Sequence, residues 1–287
     1  MSIIWELDFY SRPILDENQK KIWEVLICQS PATIADDPEP PFRYSKYCSN
    51  TEVNSVWLKS AMTEALAQAP EPPDRIRFFR QAMNNMITKA CQEIGLPVQL
   101  SRRTLALNRW LHQRLETVYP LEPGFQAGSN PSVTFPLTTA QPLPDALMGQ
   151  RWAFVSLEAK ALEDMSDWAI DFGEAFPLGL TDISSQTVVP GVVIFSSRAL
   201  ALAAWMSGLE LAGISLDREP SPRLILETGV NDRWVLAPLN HASLQQEAQT
   251  FEAAKQQANQ VHFIAVQTSP ETEAFAGFWL LQDISLA

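Results

Sequence analysis

Cysteine, glycine and positive charge are all thin in this chain, and each shortage removes a class of function. The three cysteines, Cys28, Cys48 and Cys91, are odd in number and lack CxxC spacing. Neither a disulfide framework nor a zinc knuckle is indicated, and a reducing compartment fits. The 11 glycines form no glycine-rich phosphate cradle, so nucleotide-dependent catalysis has no support. His112, His241 and His262 are scattered, and no Ser/His/Asp or Cys/His nucleophile can be argued from their separation. No EF-hand or metal-helix spacing occurs, so no metal or other cofactor is expected. The most apolar helical stretch, 199–209, is flanked by Arg198 and Glu210 and is too short to cross a bilayer, so no membrane insertion is expected. No signal or transit peptide precedes the first strand, and a cytoplasmic protein is the expectation.

What the chain does have is a strongly patterned start. Ile3, Trp5, Leu7 and Phe9 alternate with Ile4, Glu6, Asp8 and Tyr10, which predicts a half-buried strand with two carboxylates on its polar face. Pro13 and the polar run from Asp16 to Lys21 are expected to break the pattern before a second strand, Ile22 to Cys28. Further strands are expected at 42–48, 75–80 and 97–101, with helices at 52–69, 81–95 and 104–118. The second helix is carried by Met83, Met86, Ile87, Ala90, Cys91 and Ile94 at three-four spacing, with Gly95 as its stop.

The 287 residues suffice for two cores, and 46% apolar content is ordinary for a globular protein. Six prolines between Tyr119 and Gln150 read as a linker. That sets an N-terminal domain at 1–119, a linker at 120–150 and a C-terminal domain at 151–287. In the last, strands are expected at 151–157, 189–195, 223–227, 233–238, 261–267 and 275–284, with helices at 197–212 and 244–259. Both domains therefore read as α/β (α+β), the second a mixed sheet with helices.

A net charge of −12 opposes nucleic-acid binding, because phosphate affinity comes from lysine and arginine. The placement of the charges matters more than their sum. Residues 1–124 carry 14 basic and 15 acidic groups and residues 125–287 carry 7 and 18, so the halves are −1 and −11. Between Arg75 and Arg114, eight cations stand against Glu93 alone, a local +7.

The opening WELDFYSRPILDENQKKIWE, with RIRFFR (75–80), RRTLALNRWLHQR (102–114), AWMSGLE (204–210), LETGVNDRW (226–234) and Trp279-Leu280-Leu281, closely resembles the Tab-two/Atab-two family of RNA-binding translation activators of photosystem I. The likeness runs along most of the chain. It implies binding of a single-stranded, A/U-rich photosystem mRNA leader and promotion of photosystem I translation, with effects on photosystem II; with no transit peptide read in the sequence, a cyanobacterial cytoplasm is the expected setting. It supplies no assigned contact residues.

The residues themselves nominate Arg75, Arg77, Phe79, Arg80, Lys89, Arg102, Arg103, Arg109, Trp110 and Arg114 as RNA contacts. On a helix over 102–118, Leu107, Leu111, Leu115 and Val118 form the apolar stripe, Arg102 and Arg109 point away, and Arg103, Trp110 and Arg114 line one flank. Guanidiniums beside an indole suit phosphates and unstacked bases, and the plainer alternative is a solvated charged face with Trp110 tucked against the neighbouring sheet. Phe78 is expected in the core and Phe79 at the surface. A rival reading uses the element order of restriction-endonuclease-like phosphodiesterases. Asp8, Glu24 and Lys46 would then hold Mg²⁺ and stabilise phosphate charge in a nuclease or its inactive descendant. Val25 and Leu26 after Glu24 break the acid-x-lysine triplet that chemistry needs. A third reading is a protein-only photosystem assembly factor. The acidic half is expected to meet ribosomal or assembly proteins, with Trp279, Leu280 and Leu281 as the docking anchor. Its acidic run from Glu158 to Asp182 reads as a solvated face.

Overall fold

The alternation at the N terminus builds the middle of the first sheet. The computed structural model describes residues 2–128, 133, 138–144 and 149–284, and the chain divides into two units, one from residues 1–31 and 37–134, the other chiefly from 135–284. In the first, β1 (Ile4–Leu15), β2 (Lys21–Gln29) and β3 (Arg43–Cys48) form an antiparallel meander. Helix α1 (Ser55–Gln68) leads to β4 (Arg75–Phe78), α2 (Asn84–Gln92) to β5 (Val98–Leu100), and α3 (Leu105–Thr117) follows. The strand order is β3-β2-β1-β4-β5, with β4 and β5 parallel to β1.

Side-chain alternation decides what each face meets. Trp5, Leu7 and Phe9 share a core with Leu58, Met62, Ile87 and Cys91, so α1 and α2 cover that face. Gly95, in the left-handed region, ends the α2 segment as expected. The opposite face, polar by its pattern, is not wet: Glu6 and Asp8 are as buried as their apolar neighbours. Helix α3 lies over them.

Nor does Pro13 end β1. The proline sits in an irregular stretch between Ser11 and Leu15 where the β1–β2 register shifts, and a bulge tolerates a residue that cannot donate to the ladder. Its carbonyl accepts from Gln126, and Leu15 donates to Gly124 at 2.9 Å. A Cβ on Gly124 would lie 2.1 Å from the Leu15 oxygen, so that return of the chain requires glycine.

The second unit holds two sheets. Strands β6 (Gln141–Pro142), β7 (Arg151–Glu158), β8 (Ile170–Glu174), β9 (Val188–Phe195), β10 (Leu211–Asp217), β11 (Arg223–Thr228), β12 (Asp232–Pro238), β13 (Val261–Gln267) and β14 (Phe275–Gln282) are ordered β7-β9-β13-β14-β8 and β10-β11-β12-β6. Helices α4 (Ala159–Glu163), α5 (Ala199–Ser207) and α6 (Ala242–Gln257) accompany them, and apolar residues of both sheets share one core. The helix expected over 197–212 stops at Ser207, and Leu211 begins β10, paired antiparallel with β11. Strand β8 lies inside the acidic run, where the sequence pattern predicts no strand. The proline-rich stretch falls partly outside the described residues. Where it is described, Gln141 and Pro142 pair with β12. Among the described residues no helix is long and apolar enough to cross a membrane.

Candidate nucleic-acid interface

The polar face of β1 and β2 is a buried ion-pair layer. Arg12 bridges two carboxylates, donating to Asp8 at 2.8 Å and to Glu24 at 3.0 Å. Arg80 approaches Asp8 at 2.6 Å, while Arg114 and the Tyr119 hydroxyl both donate to Glu24. Burial alone would raise the Asp8 carboxyl, but the charges of Arg80 and Arg12 outweigh it and hold Asp8 below the usual carboxylate range. Burial works against the Arg12 cation too, and the charges of Asp8 and Glu24 more than restore it. Tyr119, buried against Glu24, is pushed up and stays a donor.

Glu6 caps α3. The residue before that helix, Thr104, provides no side-chain cap, and the Leu107 N–H instead donates to Glu6 at 2.7 Å across 101 residues of chain. A carboxylate at a helix N-terminus satisfies an otherwise orphaned donor and meets the positive end of the helix dipole. Arg77 stands beside Glu6 in the parallel ladder.

These pairings decide where the nominated cations lie. Arg77, Arg80 and Arg103 are buried; Arg75, Arg102 and Arg114 are half-buried; Lys89 and Arg109 are exposed. Lys89 belongs to α2 and Arg109 to α3, on opposite faces of the sheet, so the local +7 is not one patch. Phe79, expected at the surface, is fully buried, because β4 ends at Phe78 and the Arg80 guanidinium stacks 4.9 Å from the Phe79 ring. Trp110 is also buried. Two guanidiniums flank its indole, Arg114 at 5.7 Å and Arg43 at 5.4 Å. Arg43 carries no pattern in the sequence. It becomes notable only because edge strand β3 runs alongside β2 and places Arg43, Ser45 and Tyr47 on the Glu24 side of the sheet.

The metal constellation is not assembled. Lys46 pairs with Val25 in the ladder and so points to the α1 side, where it bonds Glu64 at 2.7 Å, whereas Asp8 and Glu24 point to the α3 side. Alternation of period two forbids all three from meeting at one ion. Among the described residues no group of three or more His, Cys, Asp or Glu side chains could hold a metal. All three cysteines are free and buried, and burial raises their thiol pKa values, that of Cys48 to about 11.

In the second unit, Trp279, Leu280 and Leu281 are buried, and this corrects their reading as a docking anchor. Strand β14 is interior to its sheet, and its successive residues from Ala276 to Leu281 are all buried, so both of its faces are covered. Trp279 and Leu281 join the core shared by the two sheets, and Phe278 stacks on Phe263 at 5.1 Å. Glu158, Glu163, Asp164, Asp167, Asp171 and Asp182 are exposed. His262 is buried: its Nε2 accepts from the Ile214 N–H at 2.9 Å and its Nδ1 lies 2.9 Å from the Gln260 carbonyl. Those two bonds fix a neutral tautomer.

Sequence comparison gives this arrangement its family. The profile described as RNA-binding protein Tab2/Atab2 matches as an N-terminal domain over residues 4–114 and as a C-terminal domain over 130–282. The chain belongs to the Tab2/Atab2 family. Relatives named "Protein TAB2 homolog, chloroplastic" are similar along nearly its whole length. The one from Zea mays is 38% identical over 288 residues, 98% of this chain and 71% of the relative; the one from Arabidopsis thaliana is 39% identical over 287 residues, 98% of this chain and 74% of the relative. No solved structure matches. The first Tab2/Atab2 domain thus spans the whole buried ion-pair layer except Tyr119, and the second spans both sheets of the other unit.

Proposed function

We propose that this protein binds the single-stranded, A/U-rich leader of photosystem mRNAs and promotes synthesis of photosystem I subunits, with an effect on photosystem II. Binding belongs to the first unit, and no chemical step is required. The observation that carries this reading is membership of a family described as RNA-binding. The charge distribution supports it, since residues 1–124 carry −1 while residues 125–287 carry −11. On the α3 side, Arg75, Arg102, Arg109 and Arg114 are the nominated cations with solvent access; Arg114 is held by Glu24, and Arg102 and Arg109 supply the phosphate contacts. The buried Arg77, Arg80 and Arg103 serve the fold that presents them. The acidic second unit meets ribosomal or assembly proteins through its exposed carboxylates. The protein works where those mRNAs are translated.

Equilibrium binding of the intact chain to a labelled U-rich RNA, over a range of salt, tests this. Changing Arg102 and Arg109 together to Glu should weaken affinity and flatten the log–log salt slope by about one unit per lost phosphate contact. Unchanged affinity and slope would remove these residues from the interface, and no binding by the unaltered chain would sink the function.

A further inference from the structure

Strand β3 offers a surface that the basic segment does not include. It is the edge strand of its sheet, and α3 packs on β1 and β2. Its α3-side residues therefore retain access to solvent: Arg43 with 26% of its side chain exposed, Ser45 exposed, and Tyr47 at 38%. We propose that this face, Arg43, Ser45 and Tyr47, is the seat of single-stranded RNA, with a base stacked on Tyr47 and a phosphate on Arg43. The inference rests on the RNA-binding reading above and names the site within it.

Each group is prepared for that role by its neighbours. The Tyr47 hydroxyl donates to Glu122 at 3.1 Å, which fixes the ring while leaving part of it open. Burial and the nearby Glu24 push its pKa up to about 12, so it remains a neutral stacking ring. Arg43 is propped on the Trp110 indole, and its Nε–H finds no acceptor among the described residues. It pairs with Glu39 at 2.8 Å, whose side chain is 65% exposed. Such a surface pair is weak, and a phosphate can take the carboxylate's place.

The buried layer removes the repulsion from Glu24 and Asp8, leaving Glu39 and Glu122 as the carboxylates beside the strand. Glu24 lies directly across the ladder from Tyr47, where a bare carboxylate would oppose phosphate. Arg12 and Arg114 hold that carboxylate, and Asp8 is likewise held by Arg12 and Arg80. The face beneath the strand is thereby neutralised. From Arg43 to Tyr47 the strand spans about 13 Å at roughly 3.3 Å per residue, room for a short run of bases. An aromatic ring with an adjacent guanidinium is the arrangement that binds unpaired nucleotides, since the base offers its flat face and the backbone its charge.

Fluorescence anisotropy of the intact chain with a labelled U-rich RNA tests the site. Tyr47→Ala should weaken binding about 5- to 150-fold, the loss of one base stack of about 1–3 kcal/mol, while Tyr47→Phe should keep most of the affinity. Arg43→Gln should weaken binding and lower the salt slope by about one unit. Val56→Ala, exposed on α1 across the sheet, should change nothing. Full binding by both Tyr47→Ala and Arg43→Gln would overturn the site and leave the RNA-binding function standing. Equal losses in Tyr47→Ala and Tyr47→Phe would overturn stacking. Absence of binding by the unaltered chain would overturn both proposals.

Discussion

Replacing Asp8 by alanine should unfold the first unit far more readily than a surface change would. Asp8 accepts from Arg12 at 2.8 Å and from Arg80 at 2.6 Å, and all three side chains are buried. Removing one member of such a cluster leaves buried cations uncompensated, a loss of about 3–5 kcal/mol. Arg12 keeps Glu24 as a partner, which places the expected loss toward the lower end. Asn at the same position keeps the shape and an acceptor oxygen and should cost less. Because the two units need not unfold together, a single global transition is the wrong readout. Amide hydrogen exchange of the intact chain at pH 7, resolved by peptide, isolates the effect. Peptides from β1, β2 and α3 that exchange by global opening should speed up by about two to four orders of magnitude, at about 1.4 kcal/mol per tenfold. Peptides of the second unit should not change. A gain in rate below about fivefold would refute the claim that Asp8 is the counter-ion of this layer.

Two further outcomes concern the second unit and one the rejected metal site. His262, whose burial lowers its pKa from 6.5 to about 4, is neutral when folded and protonates more readily when unfolded. Stability from this residue is therefore complete above pH 6.5 and falls by on the order of 3 kcal/mol as pH drops toward 4; pulse proteolysis of second-unit fragments in urea should show that fall, and His262→Gln should lack it. Trp279→Ala should destabilise the second unit by about 3–5 kcal/mol through the cavity it leaves, while RNA affinity of the still-folded protein at low temperature stays the same. Purified protein with Mg²⁺ or Mn²⁺ should leave labelled RNA intact; cleavage abolished by Glu24→Ala would restore the carboxylates as metal ligands.

The fold is most legible in the sequence where periodicity and packing agree. The three-four spacing of Ile87, Ala90 and Cys91 produces α2 because that stripe meets the Trp5, Leu7 and Phe9 face. It is least legible where a second layer overrides the local pattern. Alternation in β1 reveals two chemically different faces, but it cannot reveal that α3 will cover the polar one. Arg12 lies close to Asp8 in sequence, but the other groups that bond Asp8 and Glu24 lie 72 residues away at Arg80, 90 at Arg114 and 95 at Tyr119, beyond any local spacing rule. For the same reason the arginines of 75–114 look like one basic surface in the sequence, when several are partners of buried carboxylates. Strand β10 escapes the pattern because Leu211 and Ala212 continue the apolar run of α5 across Gly208, and only pairing with β11 distinguishes strand from helix there. Arg43 and Tyr47 give no signal at all, since their value depends on β3 being an edge strand.

Photo-crosslinking tests the central claim, that the α3 side of the first unit holds RNA, more directly than any substitution. A U-rich RNA carrying 4-thiouridine would be crosslinked to the intact chain and the adducts mapped by mass spectrometry. The expected adducts fall on peptides containing Arg43 to Tyr47 and on those of α3, Leu105–Thr117. Adducts confined to residues 149–284 would contradict the account.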